Sequence, residues 1–411
     1  ALGSIFTTKM GCLTTNRRSI QSGTSVSSSP KCLYMSKRCD VVIFTFFNEH
    51  MPGMLDFYYR VRACLENFDT IVVGNLRRTQ EELFVPEERF VHLPMKRLGA
   101  WGIPLYFFSL KKIEREYRPR KIVMLSAHFS IIAWCFSKTP YVLYWNEHPT
   151  HRYPRSNKIK IVKRIRNRIM RKCCYRGARK ASLVMPISFF LRDDLLEHGC
   201  SPNNIILLDM GVDEGFIRHD SMVNIPMERE RINLIYTGTV RKERGRDIML
   251  EALAKAISQG AHIKLIIVGA MPEQLEYCRN KATELGIEDS VFVKGRVPGH
   301  EIPVLLQRAD VGICIWENRE FWLFNPPTKL FEYLVAGLPV LANNIRTHTA
   351  YLRDGETGII FNYDTEDLAR VMIRIWRERE YLPKMRREAL EDGKQYLWKN
   401  IEPAFLEAVR P

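Results

Sequence analysis

A chain of 411 residues is longer than one hydrophobic core usually serves, so two domains of about 150–200 residues each are expected. Charged residues at 26% and hydrophobic ones at 46%, with ordinary glycine and proline, exclude collagen-like, low-complexity and wholly disordered classes. The net charge of +16 sits in two segments: 1–39 carries six basic residues and no acid, 152–180 carries thirteen and no acid, and the remainder is close to neutral.

Residues 1–39 are rich in Ser, Thr and Gly, show no helical or strand period in the first 35 positions, and have three readings: a disordered tail, sequence upstream of a start at Met35, or a transit peptide. From Val41 the chain alternates apolar runs with helical patterns. Val41–Phe46, Thr70–Val73, Phe90–Leu93, Ile122–Leu125, Tyr141–Tyr144 and Leu183–Pro186 read as strands, with helices such as Met54–Leu65 and Pro104–Arg118 between them. Strand–helix alternation of this kind implies βαβ units and a parallel sheet covered on both faces. These elements set a first domain at 40–212, and a polar linker follows at 213–230.

The alternation restarts in a second domain, 231–393. Ile232–Tyr236, Ile263–Val268, Val291–Lys294, Val311–Ile315, Val340–Ala342 and Gly358–Phe361 are its strands. Ile248–Ser258, Glu273–Leu285 and Glu366–Arg379 are helices, and a last helical pattern covers Lys394–Val409. The fold class is therefore α/β, two doubly wound parallel-sheet halves in tandem, and ligands are expected in a cleft at the C-terminal ends of the strands.

Ten cysteines stand at Cys12, Cys32, Cys39, Cys64, Cys135, Cys173, Cys174, Cys200, Cys278 and Cys314, with no C-x-x-C pair, so zinc ribbons and redox motifs are excluded and a reducing compartment is expected. The longest apolar stretch, Ile122 to Trp145, is broken by His128, Lys138 and Pro140, short of the ~20 residues a membrane span needs.

Three segments of the second domain carry chemistry. In WENREFWLFNPPTKLFEYLVAGLPVLA (316–342), Pro326 and Pro327 stop any preceding helix and Thr328 is placed to cap a new one near Lys329–Leu330. A helix start exposes free N–H groups and the positive end of the dipole, which suits a phosphate. Lys329 in that first turn makes sense beside a bound anion, and Glu332, one turn deeper, is placed to accept from a ribose diol. The plainer reading is an ordinary cap, a solvated lysine and a dipole-facing glutamate. In YTGTVRKERG (236–245), Gly238 permits close backbone approach while Arg241, Lys242 and Arg244 offer cations for a diphosphate, although a charged surface turn has the same letters. In VKGRVPGHEI (293–302), backbone groups at Arg296 and Val297 are placed to read a base edge.

Together and in this order, the run "IIVG…VFVKGRVP…LLQRADVGI…NPPTKLFEYLVAGLPVLA…DGETGIIF" resembles the retaining nucleotide-sugar glycosyltransferases of family 4 (group 1), which have the GT-B fold. The resemblance is strong over 231–370 and holds over 40–210 only in outline. It is nearest the subgroup that builds cell-surface polysaccharides and lipid-linked glycans. It implies two Rossmann-like domains facing a central cleft, with acceptor in the first, nucleotide-sugar in the second, and a C-terminal helix (394–411) crossing back. It implies that Glu332 binds the donor ribose, that Arg244 holds the diphosphate, that Arg296–Val297 read the base, and that the Thr328, Lys329 and Leu330 amides face the phosphate. It also implies that Gly238, Thr239, Arg241 and Lys242 line the donor. Two departures stand out: Phe324 occupies the place of the family's sugar-contacting first Glu, and Thr239 stands where an Arg usually follows the glycine.

In the first domain Gly53 is expected to begin the loop where donor and acceptor meet. Glu147 and His148 are the candidates for orienting the acceptor or taking its proton, and His128 is a further one. Glu147, His148 and His151 form E-H-x-x-H, but Pro149 breaks the helix that a zinc pair would need. No D-x-D motif occurs, so a metal-independent hexosyl- or N-acetylhexosaminyltransferase is expected, needing no cofactor beyond the nucleotide-sugar co-substrate. In 158–180, Val162, Ile165, Ile169 and Cys173 recur at helical spacing among Lys and Arg. This is either a packed helix with a solvated basic face or a face held on anionic lipid through Lys158, Lys163, Arg166 and Arg171. No nucleic-acid module accompanies it. The expected setting is cytoplasmic, peripheral on the inner face of a membrane, with a glycan or lipid-linked acceptor. Two rivals remain: a non-enzymatic nucleotide- and anionic-surface-binding protein on the same scaffold, and a nucleotide-sugar 2-epimerase.

Overall fold

Among the described residues twelve short strands, nearly all of them continuous apolar runs, account for two six-stranded parallel sheets. Runs such as VVIFT (Val41–Thr45) and TIVVG (Thr70–Gly74) are buried at every position, as expected where helices cover both faces. The computed structural model describes residues 38–45, 54–74, 85–93, 102–136, 138–156, 160–217 and 230–411. Gly53, Lys158, the tail and most of the linker lie outside them.

In the first sheet the strands are β1 (Val41–Thr45), β2 (Thr70–Gly74), β3 (Phe90–His92), β4 (Lys121–Met124), β5 (Tyr141–Trp145) and β6 (Leu183–Pro186), in the order β3-β2-β1-β4-β5-β6. The second repeats the pattern with β7 (Ile232–Thr237), β8 (Ile263–Ala270), β9 (Val291–Gly295), β10 (Val311–Cys314), β11 (Val340–Asn343) and β12 (Gly358–Phe361), ordered β12-β11-β10-β7-β8-β9. Every pairing is parallel. In each sheet the order of strand addition reverses once, between β1 and β4 and between β7 and β10, and these switch points open the crevices where such sheets take ligands.

One continuous core joins the two sheets. It takes in the first sheet with its helices, the Leu330–Leu338 stretch, and Trp398, Ile401, Phe405 and Val409 of the last helix, Trp398–Val409. That helix lies on Met54–Asn67 of the first half: Trp398 stacks on Tyr59 (6.0 Å between centroids), and its N–H donates to the Val212 carbonyl (2.8 Å). Beneath it a buried ion pair, Arg60–Asp56, is completed by the Tyr144 hydroxyl (2.5 Å) and the Gly211 N–H (3.0 Å), both donating to Asp56. Filling every oxygen of a buried carboxylate is what makes such a pair tolerable. Among the described residues no helix is long and apolar enough to cross a membrane.

Candidate active site

The crevice of the second sheet is built from the loops leaving β7 and β10 and from the helix Thr328–Val335. Six of this helix's eight side chains are buried. Tyr333 locks it under β7: its hydroxyl accepts from the Thr237 N–H at 2.9 Å. The helix begins one residue earlier than the spacing suggests. Pro327 occupies the cap position and Thr328 is already helical, so Thr328 does not cap and no side chain does. A proline-led start with neither a cap nor an acidic first turn leaves the positive dipole end unopposed.

Into that end the chain places a buried cation. Lys329 is 6% exposed, its Nζ lies 3.5 Å from the centre of the Tyr236 ring, and it has no hydrogen-bond partner among the described residues. Gly238, at φ +116°, lets the ammonium come close, since a Cβ there would stand 3.3 Å from Nζ. Burial pushes the Lys329 pKa down to about 7; Arg244 helps, while Cys314 and Glu332 oppose the shift. Glu332, one turn on and half-buried, is pushed up to about 7 by its own burial, against the pull of Lys329.

A second cation converges from the β7 loop. Arg244 ends the turn Lys242–Arg244, and the following Gly245 is left-handed (φ +71°), packed where a Cβ would meet Ile315 at 2.6 Å. The Arg244 guanidinium lies 4.6 Å from the centre of the Trp316 ring and 4.9 Å from that of Trp322, and burial lowers its pKa. No carboxylate pairs with it among the described residues. The loop is pinned by the Tyr236 hydroxyl donating to the Thr239 carbonyl (2.8 Å), while Arg241 and Lys242 are exposed. Arg296 is exposed at the neighbouring loop, Val297 packs on the common core, and Gly299 abuts Leu55 of the first half.

Across the crevice, β5 delivers Asn146, Glu147 and His148. Glu147 Oε2 meets His128 Nε2 at 3.1 Å and His151 Nδ1 at 2.9 Å. Against its burial, these two bonds hold the Glu147 carboxyl well below the usual range. His148 is enclosed. Its Nδ1 meets Thr150 Oγ1 (2.6 Å), its Nε2 faces the Tyr175 hydroxyl (3.3 Å) and Asp194 (3.4 Å), and its ring lies flat on Phe324 at 4.0 Å. Asn325 adds two bonds, donating to the Asn146 carbonyl (2.6 Å) and accepting from the His148 N–H (3.0 Å), and Ser188 donates to the Phe324 carbonyl (2.7 Å). Phe324 therefore serves as a seam between the halves.

The structure thus brings Gly238, Arg244, Thr328, Lys329, Leu330 and Glu332 to one crevice, with Glu147 across from it and His148 sealed beneath the seam. Trp316, Trp322 and His348 are part of the same cluster although nothing singled them out; the aromatic density of WENREFW was the available signal. Among the described residues no group of three or more His, Cys, Asp or Glu comes together that could hold a metal ion.

Residues 220–393 match the family model described as "Glycosyl transferases group 1". A putative colanic acid biosynthesis glycosyltransferase, WcaL of Salmonella typhimurium, is 27% identical over 165 residues, 40% of each chain. A D-inositol 3-phosphate glycosyltransferase of Corynebacterium aurimucosum is 24% identical over 222 residues, 50% of this chain and 51% of that one. The match thus spans about half or less of these curated relatives. Among solved structures, Anabaena HepE in complex with UDP superposes with a TM-score of 0.70 at 15% identity, covering 90% of this chain and 99% of that one. WaaG, a glycosyltransferase involved in lipopolysaccharide biosynthesis, does so at 0.67 and 17%, covering 90% and 99%. The two sheets therefore have the GT-B arrangement.

Proposed function

We propose that the chain, whose residues 220–393 match the family model described as "Glycosyl transferases group 1", moves a sugar, with retention at the anomeric carbon, from a nucleotide-sugar to a hydroxyl of a membrane-associated or lipid-linked glycan. One observation carries the reading: Lys329, a buried cation with no hydrogen-bond partner among the described residues, stands against Gly238 at an uncapped helix start, with Arg244 within its electrostatic reach. A diphosphate supplies the missing charge. As the sugar C1–O bond breaks, the electron pair leaves with the diphosphate, and Arg244, Lys329 and the Thr328–Leu330 amides stabilise it with no metal required. The acceptor oxygen bonds to C1 on the face the diphosphate leaves, and its proton passes to the departing diphosphate oxygen, which holds the electron pair of the broken bond. Glu147, held ionised between His128 and His151, contributes a fixed negative charge opposite the developing positive sugar.

Titration calorimetry with UDP, GDP and CMP tests this. One diphosphate should bind, and Glu332→Ala should weaken it by ~1–3 kcal/mol, the loss expected for hydrogen bonds from a ribose diol to a carboxylate. Binding of none of the three refutes the donor site. Unchanged affinity in the variant refutes the ribose role alone.

The acceptor's setting rests on the helix Ile161–Lys180. Ile161, Val162, Ile165 and Ile169 are 70%, 76%, 56% and 53% exposed, where a packed helix would have buried them. Lys163, Arg164, Arg166, Arg168 and Lys172 are exposed around them, whereas Arg171 turns inward to the Tyr153 carbonyl (2.6 Å). Apolar side chains inside a basic rim suit an anionic lipid surface, at ~1 kcal/mol per basic residue. Replacing Lys163, Arg164, Arg168 and Lys172 with Ser should strongly reduce sedimentation with phosphatidylserine-containing liposomes at low salt while leaving diphosphate affinity intact. Equal sedimentation rejects the membrane role.

A further inference from the structure

Beside the two cations the chain buries an indole and an imidazole that no described residue satisfies. Trp316 follows β10 and is 5% exposed; His348, in the turn Arg346–Thr349 after β11, is fully buried. Asn343 holds both. Its side chain accepts from the Trp316 backbone N–H (2.8 Å) and donates to the Trp316 carbonyl (3.0 Å), and its own carbonyl faces His348 Nδ1 (3.2 Å). A carbonyl only accepts, so Nδ1 carries the proton. Burial, with Lys329 and Arg244 nearby, pushes the ring's pKa down to about 3 despite that bond, so the imidazole is neutral and Nε2 is a bare lone pair. The two rings lie 5.4 Å apart between centroids, and among the described residues neither Trp316 Nε1 nor His348 Nε2 has a partner. A buried donor or acceptor left unmade costs ~1–3 kcal/mol, so a pair side by side points to a ligand group that relieves both.

We propose that Trp316 Nε1–H and His348 Nε2 hold one hydroxyl of the transferred sugar, the indole donating to its oxygen and the imidazole accepting its proton, and so decide which sugar is taken. The proposal rests on the donor reading above. Of the common ligand groups, a neutral hydroxyl both accepts and donates through one oxygen. A carboxylate would face the Nε2 lone pair, and an ammonium would face the indole N–H and two cations. The position fits a sugar joined to the diphosphate, because the Arg244 guanidinium lies 4.6 Å from the centre of the Trp316 ring, which is itself 5.4 Å from that of His348. It also explains how the chain manages with Phe324, whose ring is committed to His148, where the resemblance places a sugar-binding carboxylate.

The full chain, Trp316→Phe, His348→Asn and the double variant are titrated calorimetrically with UDP and GDP, and with UDP-glucose, UDP-galactose, UDP-N-acetylglucosamine and GDP-mannose, without acceptor. His348→Asn keeps a donor for the Asn343 carbonyl and removes only Nε2. In each single variant the loss for the preferred nucleotide-sugar should exceed the loss for its bare diphosphate about tenfold, the scale of one buried hydrogen bond. The double variant should add little, about twofold or less, because both partners serve one hydroxyl. Equal losses for sugar-bearing and bare ligands, or additive losses in the double variant, overturn the proposal while leaving the donor site standing. A wild-type chain that binds neither diphosphate overturns the donor reading, and this proposal with it.

Discussion

Replacing Lys329 with Met is expected to weaken nucleoside-diphosphate binding by about 2–4 kcal/mol, or roughly 30- to 1000-fold. The methionine keeps the length of the side chain over Tyr236 and removes only the charge. Because the ammonium makes no hydrogen bond among the described residues and its burial outweighs the attraction of Glu332, its loss should not destabilise the ligand-free protein, and the variant should melt no lower than wild type. The same group sets a pH dependence. Its pKa is about 7 in the folded chain against an ordinary 10.5, so between these values the unfolded chain binds more protons. The destabilisation from Lys329 is therefore complete below pH 7 and fades as pH rises toward 10.5. Glu332 runs the other way: raised to about 7 from 4.5, its stabilising contribution is complete below 4.5 and is lost as pH rises through 7. A bound diphosphate favours the ammonium, so binding at pH 8 should take up protons, and affinity should fall as pH rises above 7. Calorimetry in buffers of different ionisation enthalpy measures the uptake. Uptake that persists in Lys329→Met, or a variant that binds normally, removes Lys329 from the site.

Replacing Arg244 with Gln is expected to lower turnover by ~10²–10³-fold, the scale seen when one preorganised charge-stabilising donor is removed, with a smaller loss of donor affinity. Negative charge on the diphosphate grows as the C1–O bond breaks, so an unpaired cation there binds the transition state more tightly than the ground state. Arg244 is prepared for this by position: its guanidinium lies against the stacked pair Trp316–Trp322, whose ring centres are 5.2 Å apart, and it forms no ion pair with a carboxylate among the described residues. Arg244→Lys should recover only part of the activity, since a point charge does not keep the stacked geometry. Diphosphate release from saturating nucleotide-sugar is the readout, and a kcat within a few-fold of wild type would assign Arg244 to ground-state binding alone.

The secondary structure was legible because both sheets are parallel and buried. A strand covered on two faces reads as an unbroken apolar run, so each predicted strand corresponds to an observed one, with ends shifted by one or two residues, as where β8 continues to Ala270. The donor loops were legible because proline, glycine and basic residues stand at strand ends, where local rules act over a few positions. The helix start was misplaced by one residue for the same local reason: Thr is a good cap, but Pro327 already has the extended conformation a cap requires (φ −75°, ψ 131°).

What the chain alone determined is therefore periodic or local: two α/β halves, the strands and helices, the family resemblance, the convergence of glycine and cations after β7, and the basic helix. What only the tertiary structure decided is burial and pairing between segments far apart in sequence. Lys329 and an exposed lysine have the same letter, and only the packing of Tyr236 against it makes it an unpaired interior cation. Phe324 became a seam because His148, 176 positions earlier, offers a flat ring to stack on. Ile165 and Ile169 share a spacing with core residues, and their exposure was settled by which face of their helix the first sheet covers. Periodicity states that a face is apolar; only the three-dimensional arrangement states what meets it.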